Sequence, residues 1–234
     1  MFDKLTFDKA NEEKERAEFE KYKKLKGVYL YKQVYDILLE ANGGENVTYQ
    51  ELSSIIRYDK NLRDTLYIYL ATAEEYLRAL LCEKYDVGES CKLFKGQCFD
   101  KLKETLFEKN EGVTEKSNLY LKLEPDFVDL MRICAETQCL TISDDTIKHA
   151  KNLRNHVMHH AVLIIGKTTN YTEFLEHLKN IETRICALKK ILPKEYVKGF
   201  GNSIKRLNGS QDKPYLSRFY LEVENESSEI HFTY

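Results

Sequence analysis

Apolar residues recur at every third or fourth position along most of the chain, which is the spacing of amphipathic helices. Near the N-terminus this pattern predicts a helix over residues 8–41, highly charged at first and then more apolar. Gly27 interrupts the helix and is expected to kink or split it, because glycine inside a helix costs about 1 kcal/mol. The helix is predicted to end at Asn42, which two glycines follow.

The next two predicted helices have recognisable start signals. Thr48 and Glu51 match a capping box and are predicted to open a short helix that ends at Arg57. Asp59 is expected to cap the most regular helix of the chain, Leu62–Tyr85. The apolar positions of that helix repeat at three and four residues: Leu62, Leu66, Tyr69, Leu70, Ala73, Leu77, Leu80 and Leu81.

The middle of the chain is less regular. It predicts a helix over Gln97–Lys109 and a loop over Gly112–Leu123. Pro125 then stands in the first turn of a helix that runs to about Glu136, where the missing N–H of proline does no harm.

Three further helices are predicted beyond this point, over residues 143–165, 171–192 and 194–207. Ser143 starts the first of them, with acidic residues in the first turn and Gly166 as the stop. Asn170 and Glu173 repeat the capping-box pattern, and Pro193 closes the helix that they open.

The last residues alternate between apolar and polar with a period of two, which predicts a terminal β-hairpin. Its apolar positions are Phe219, Leu221 and Val223, then Ile230, Phe232 and Tyr234 after a turn at 225–228. The predicted fold is an all-α bundle with a small C-terminal hairpin. We divide it into an N-terminal helical extension (1–57), a central bundle (58–192) and a basic helix plus hairpin (193–234).

Composition narrows the class of protein. With 234 residues, 42% of them hydrophobic, and only 10 Gly and 3 Pro, the chain can bury a core and is unlike a disordered or collagen-like sequence. The net charge of −2 gives no global basic signature, so nucleic-acid binding would need a local patch. No apolar stretch reaches the roughly 18–20 residues that cross a bilayer. We therefore expect a cytoplasmic protein that has no contact with membranes.

The six cysteines do not predict a metal site or a cofactor. Their spacings match no zinc template, and none forms a CxxC pair. In a reducing cytosol they are expected to be small buried apolar residues. They are Cys82, Cys91, Cys98, Cys134, Cys139 and Cys186.

Candidate chemistry is concentrated in one predicted helix, where four of the six histidines fall within twelve residues: His149, His156, His159 and His160. One interpretation is a solvated or hydrogen-bonded helix face without further function. A second is a metal site on His149, His156 and His160, although Val157 stands where a zincin helix has its glutamate.

A third interpretation is phosphodiester cleavage without a metal. A histidine can take a proton from a ribose 2′-hydroxyl or give one to a leaving 5′-oxygen. An arginine can bind the phosphate and stabilise the charge that develops on it. Arg154 and Asn155 lie beside the histidines and supply such a guanidinium and an orienting amide.

The segment from Arg154 to His159 reads R-N-x-x-x-H and resembles the motif of HEPN-domain proteins, many of which are ribonucleases. Upstream, Tyr58-Asp59 with Leu62-Arg63, followed by Glu74 and Leu77-Arg78, resembles the Abi-like (abortive-infection) branch of that group. The resemblance covers about residues 58–192 and implies a HEPN-type helical bundle.

Carried over by position, the resemblance implies that Arg154, Asn155 and His159 form the catalytic set. His156 and His160 would then be supporting groups. Glu74 and Arg78 match the upstream element and would hold the active helix, although a Glu/Arg pair four residues apart is also common on any solvated helix. The resemblance further implies a homodimer in which two motifs face each other, because cleavage needs one imidazole as base and another as acid.

Phosphate contacts would come from basic side chains near the motif and in the C-terminal helix, with Tyr196 and Phe200 available to stack on bases. The candidates are Lys148, Lys151, Lys198, Lys205 and Arg206. Each of these is also explained as part of a solvated face.

The function expected from the sequence is thus a metal-independent endoribonuclease without a cofactor, cleaving single-stranded or loop RNA, for example in tRNA. The resemblance implies a role in anti-phage defence or as a toxin, with an antitoxin or a regulatory RNA or protein as a further partner. The alternative is a non-catalytic helical dimer that binds RNA or protein.

Overall fold

A computed structural model describes residues 1–84, 126–159, 161–208, 219–223 and 230–233, with the side chains of Cys82 and Lys84 left aside. In this part of the chain the protein is mostly helical and carries a small C-terminal hairpin, which confirms the predicted all-α class with its hairpin. In chain order the elements are β1 (Leu5–Thr6), α1 (Glu12–Lys26), α2 (Val28–Ala41), β2 (Val47–Thr48), α3 (Tyr49–Lys84), α4 (Phe127–Glu136), α5 (Asp144–Met158), α6 (Tyr171–Ile191), α7 (Lys194–Asn208), β3 (Tyr220–Val223) and β4 (Ile230–Thr233).

The chain divides into two compact units. The first unit contains Met1–Leu66, His156–Thr183 and Lys198–Tyr234. The second unit contains Tyr67–Asn155 and Arg184–Val197. The division into 1–57, 58–192 and 193–234 stays a prediction.

In the first unit, the N-terminal segment is anchored by a small aromatic cluster and a short sheet. Gly27 has φ +97° and separates α1 from α2, which confirms the predicted split. Phe19 is buried and makes edge-to-face contacts with the rings of Phe2 and Tyr31. Strands β1 and β2 pair in parallel over two residues each, too few for an alternating pattern to have predicted them.

Helix α3 begins where the sequence predicts. The hydroxyl of Thr48 accepts from Glu51 N at 3.2 Å, and the Glu51 carboxylate accepts from Thr48 N at 2.8 Å, so the capping box is formed. The helix then continues to Lys84, so the predicted end at Arg57 is wrong.

Asp59 is not a helix cap, because it lies inside α3 and its side chain bonds elsewhere in the first unit. Its Oδ1 accepts from the backbone N–H groups of Leu163 at 2.7 Å and Ile164 at 2.8 Å. Its Oδ2 accepts from Arg63 Nε at 2.8 Å. These three bonds satisfy a carboxylate whose side chain is 3% exposed.

Helix α4 lies in the second unit and ends at Glu136 as predicted. It begins after Asp126, whose carboxylate accepts from Val128 N and Asp129 N. The predicted helix 97–109, the predicted loop 112–123 and Pro125 lie outside the described residues.

Helix α5 begins after Ser143, whose hydroxyl accepts from Thr146 N at 3.3 Å, as predicted. It ends at Met158, so the predicted continuation to Ile165 is wrong. Residues 163–167 form a turn in the first unit, and its apolar side chains at 163–165 are buried. In the sequence these apolar residues continue the spacing of an amphipathic helix, although the backbone here forms a turn.

The remaining elements agree with their predicted positions. Asn170 Oδ1 accepts from Glu173 N at 2.9 Å at the start of α6. Strands β3 and β4 are antiparallel, and the buried residues Leu221 and Phe232 are paired. Leu221 N donates to the buried hydroxyl of Tyr58 at 2.9 Å, which joins the hairpin to α3 within the first unit.

Candidate functional site

The apolar positions of α5 place its polar residues away from the core. Ala150, Leu153 and Val157 are buried, as the sequence predicts. Met158 is half-buried and Ala161 is exposed, so these two contribute less packing than predicted. The polar residues beside the buried positions are half-buried: His149, Asn152, Arg154, Asn155 and His156.

Arg154 lies in the second unit and has an unsatisfied donor. Its Nε is buried and has no hydrogen-bond partner among the residues that the structure describes. A buried donor without an acceptor is costly, so natural proteins carry few such groups and each requires an explanation. The predicted role of Arg154, binding a phosphate that arrives with the substrate, would supply the missing acceptor.

The catalytic histidine of the predicted set lies in the first unit. His159 is the residue directly after the last residue of α5, and its side chain is exposed. The helix end is closed by a hydrogen bond of 3.0 Å from Ala161 N to the carbonyl of His156. His160 lies outside the described residues. An exposed imidazole at a helix end is accessible to a polymeric substrate.

Glu74 and Arg78 form an ion pair in the second unit. The distance from Arg78 Nη2 to Glu74 Oε1 is 2.7 Å, and the two side chains are 21% (Arg78) and 26% (Glu74) exposed. Among the described residues, Arg154 Nε has no hydrogen-bond partner, so the pair does not bond that atom there. The predicted role of the pair in holding the active helix stays a prediction, beside that of an ordinary i,i+4 pair.

The predicted RNA-contacting side chains are accessible. Lys148, Lys151, Lys198, Lys205 and Arg206 are all exposed. Tyr196 is 50% exposed, as a stacking residue must be, whereas Phe200 is fully buried. The prediction that Phe200 stacks on bases is therefore wrong, because its ring belongs to the core.

The described residues contain no group of three or more His, Cys, Asp or Glu side chains that could hold a metal ion. The trio of the metal interpretation includes His160, which is outside that part of the chain. That alternative therefore stays a prediction. Among the described helices, none has both the length and the apolar character needed to cross a membrane.

A second arginine of the second unit was missed by the sequence analysis. Arg184, on α6, has a buried Nη1 that finds no hydrogen-bond partner in the described ranges. Burial lowers the pKa of its guanidinium. The sequence contains a signal for this buried arginine. Arg184 interrupts the apolar stripe of the helix, next to the buried Ile185 and one turn before the buried Leu188.

No protein-family model, curated protein or solved structure matches this chain.

Proposed function

We propose that the protein is a metal-independent endoribonuclease that uses Arg154, Asn155 and His159. Neutral His159 takes the proton of a ribose 2′-hydroxyl, and the resulting oxygen attacks the adjacent phosphorus. The P–O5′ bond breaks, and a protonated imidazole gives its proton to the leaving oxygen. The products are a 2′,3′-cyclic phosphate and a 5′-hydroxyl. Arg154 stabilises the charge on the phosphoryl oxygens, and Asn155 orients the imidazole.

The observation that carries this proposal is the unsatisfied Nε of Arg154, in a sequence that places an exposed His159 five residues further on. A phosphate oxygen would supply the acceptor that this donor lacks, which supports the proposed role of the guanidinium. A surface-exposed imidazole can reach the sugar of a bound strand. Resemblance to the HEPN motif supports the same assignment.

The mechanism needs two imidazoles in opposite protonation states, and the motif supplies one per chain. We therefore propose a homodimer whose two-fold axis passes between two copies of His159. One copy acts as the base while the other acts as the acid. Exposed cations such as Lys151 and Lys205 would hold the RNA backbone.

The proposed substrate is single-stranded or loop RNA, including tRNA loops, because its bases and 2′-hydroxyls are accessible there. The proposed role is anti-phage defence or toxicity, with activity restrained by an antitoxin or a regulatory RNA or protein. This role rests on the resemblance to Abi-like proteins.

The test is RNA cleavage by the purified protein in the presence of EDTA. We expect His159→Ala to lower the rate by at least about 100-fold, which is the usual contribution of a general acid or base. His231→Ala is the matched control, because His231 lies on the hairpin strand β4 outside the proposed site, and it should cleave normally. RNA binding without cleavage by the unaltered protein would instead support the non-catalytic dimer.

The shared site is tested by mixing unaltered chains with an excess of His159→Ala chains. Mixed dimers then contain only one intact His159, so a mechanism that needs both imidazoles leaves them inactive. A fall in activity per unaltered chain supports a composite site. Constant activity per unaltered chain, under conditions in which subunits demonstrably exchange, contradicts it.

A further inference from the structure

The first unit contains a cavity of about 470 Å³ whose lining residues do not include Arg154, Asn155 or His159. Its size falls within the range of roughly 300–1,000 Å³ that is typical of small-molecule sites. Six of its lining residues are apolar and come from α2, α3 and the turn after α5: Leu30, Val34, Ile55, Ile56, Val162 and Ile165. Apolar side chains therefore form about half of the cavity lining.

The remaining lining residues are charged: Lys26, Asp59, Lys60, Arg63 and Asp64. Both carboxylates already have partners. Asp59 pairs with Arg63 at 2.8 Å, and Asp64 pairs with Lys60 at 3.0 Å. The charges within each of these two ion pairs cancel, so the net charge of the cavity lining is the single positive charge of Lys26.

Lys26 is the last residue of α1 and is exposed. Within the described ranges it has no carboxylate partner, and its contact is with the ring of Tyr22, 5.9 Å from Nζ to the ring centre. Partial burial of its ammonium lowers its pKa, and the nearby charges of Lys60 and Arg57 lower it further, although the carboxylate of Asp59 raises it. An unpaired ammonium in positive surroundings at an apolar cavity is a site for an anionic group.

We propose that this cavity binds a small amphipathic carboxylate of the fatty-acid class. The carboxylate would pair with Lys26, and the apolar body would lie against Leu30, Val34 and Ile55. A single negative charge suits the single unpaired cation. A chain of about ten carbon atoms is of the size that such cavities enclose.

The test is calorimetric titration of the full-length protein with decanoate and with 1-decanol, which has the same chain without the charge. We expect one decanoate per chain, bound at least tenfold more tightly than decanol. Equal affinities, or no decanoate binding below its micelle concentration, would overturn the proposal. Tighter binding of decyl phosphate than of decanoate would overturn the assignment of a monoanion.

Two variants locate the site. Lys26→Met keeps the length of the side chain and removes its charge, and should weaken decanoate at least tenfold while leaving decanol unchanged. Lys24→Met, on the same helix and also exposed, is the control and should bind as the unaltered protein does. An unchanged decanoate affinity in Lys26→Met would refute the proposed role of Lys26.

Leu30→Trp should fill the cavity and abolish binding of both ligands. Methyl NMR of the unaltered protein gives the same location without a substitution, so the test holds even if the tryptophan variant does not fold. Decanoate should shift the methyl signals of Val34, Ile55 and Ile165. Binding that leaves these signals in place would put the ligand elsewhere and overturn the proposal.

Discussion

The carboxylate of Asp59 accepts a hydrogen bond of 2.7 Å from the backbone N–H of Leu163, a residue 104 positions further along the chain. Ile164 N donates to the same oxygen. Asp59 thereby fixes the turn that begins four residues after His159. A residue of α3 thus positions the segment that follows the proposed catalytic histidine, within the first unit.

Asp59→Ala is expected to lower the free energy of unfolding by about 3 kcal/mol, because it leaves two buried N–H groups and Arg63 without their acceptor. Asp64→Ala is the matched control. Asp64 pairs with Lys60 on an exposed part of the same helix, so its loss should change stability by less than about 1 kcal/mol. Urea unfolding measures both. Equal effects of the two substitutions would contradict the role assigned to Asp59.

The contribution of Asp59 should also depend on pH. Burial raises its pKa above the ordinary value of 3.8, although the bonds from Ile164, Arg63 and Leu163 oppose this. The folded protein then binds the proton more tightly than the unfolded chain does, so this contribution is full below the ordinary pKa and is lost as pH rises through the raised value.

We therefore expect the stability of the unaltered protein relative to Asp59→Asn to fall as pH increases from about 4. Asparagine keeps an acceptor for the two backbone N–H groups and does not titrate. Urea unfolding of both proteins across this range measures the difference. A difference that grows with pH would mean that the ion pair with Arg63 outweighs burial.

Gly166→Ala should destabilise the protein by about 2–4 kcal/mol. Gly166 has φ +57°, and an added Cβ would lie 2.6 Å from the ring of His177. Gly43→Ala separates the two causes, because Gly43 has φ +66° but open space around its Cβ position, and it should cost only about 1 kcal/mol. Thermal unfolding compares them. In a His177→Ala background the cost of Gly166→Ala should fall to that of Gly43→Ala, and an unchanged cost would exclude the steric cause.

Arg154→Ala should change stability by less than about 1 kcal/mol while lowering RNA cleavage by about 100-fold or more. Within the part of the chain that the structure describes, its Nε has no hydrogen bond to lose, so little folding energy depends on that atom. Arg132→Ala is the control, because Arg132 is an exposed arginine of the same unit and should leave both quantities unchanged. A large loss of stability in Arg154→Ala would make Arg154 a structural residue and would contradict the site.

Local signals in the sequence located most helix starts, because the groups that make them are neighbours in the chain. Thr48 with Glu51 and Ser143 form the bonds that their spacing predicts. Asn170 accepts from Glu173 N as predicted, whereas the Glu173 carboxylate accepts from Thr169 N, one residue earlier than the capping box predicts. Asp59 is a residue type that often caps helices, but its carboxylate accepts from backbone N–H groups more than a hundred positions away. No local rule could have distinguished the two cases.

The end of α5 was mispredicted for the same physical reason. The apolar residues Leu163, Ile164 and Ile165 continue the helical spacing in the sequence. In the structure they are buried but lie in a turn, and the backbone N–H groups of Leu163 and Ile164 donate to Asp59. At the candidate site, the sequence identified Arg154 and His159 as residues of interest. It could not show that Arg154 Nε is unpaired, because that depends on every neighbouring acceptor in the fold.

The most direct test of the central proposal is the chemistry of the RNA ends. Purified protein is incubated with total RNA in EDTA, and the cut ends are mapped, with His159→Ala as the control. We expect 2′,3′-cyclic phosphates and 5′-hydroxyls, which should disappear in the variant. Absence of cleavage, or products with 5′-phosphates, would contradict it.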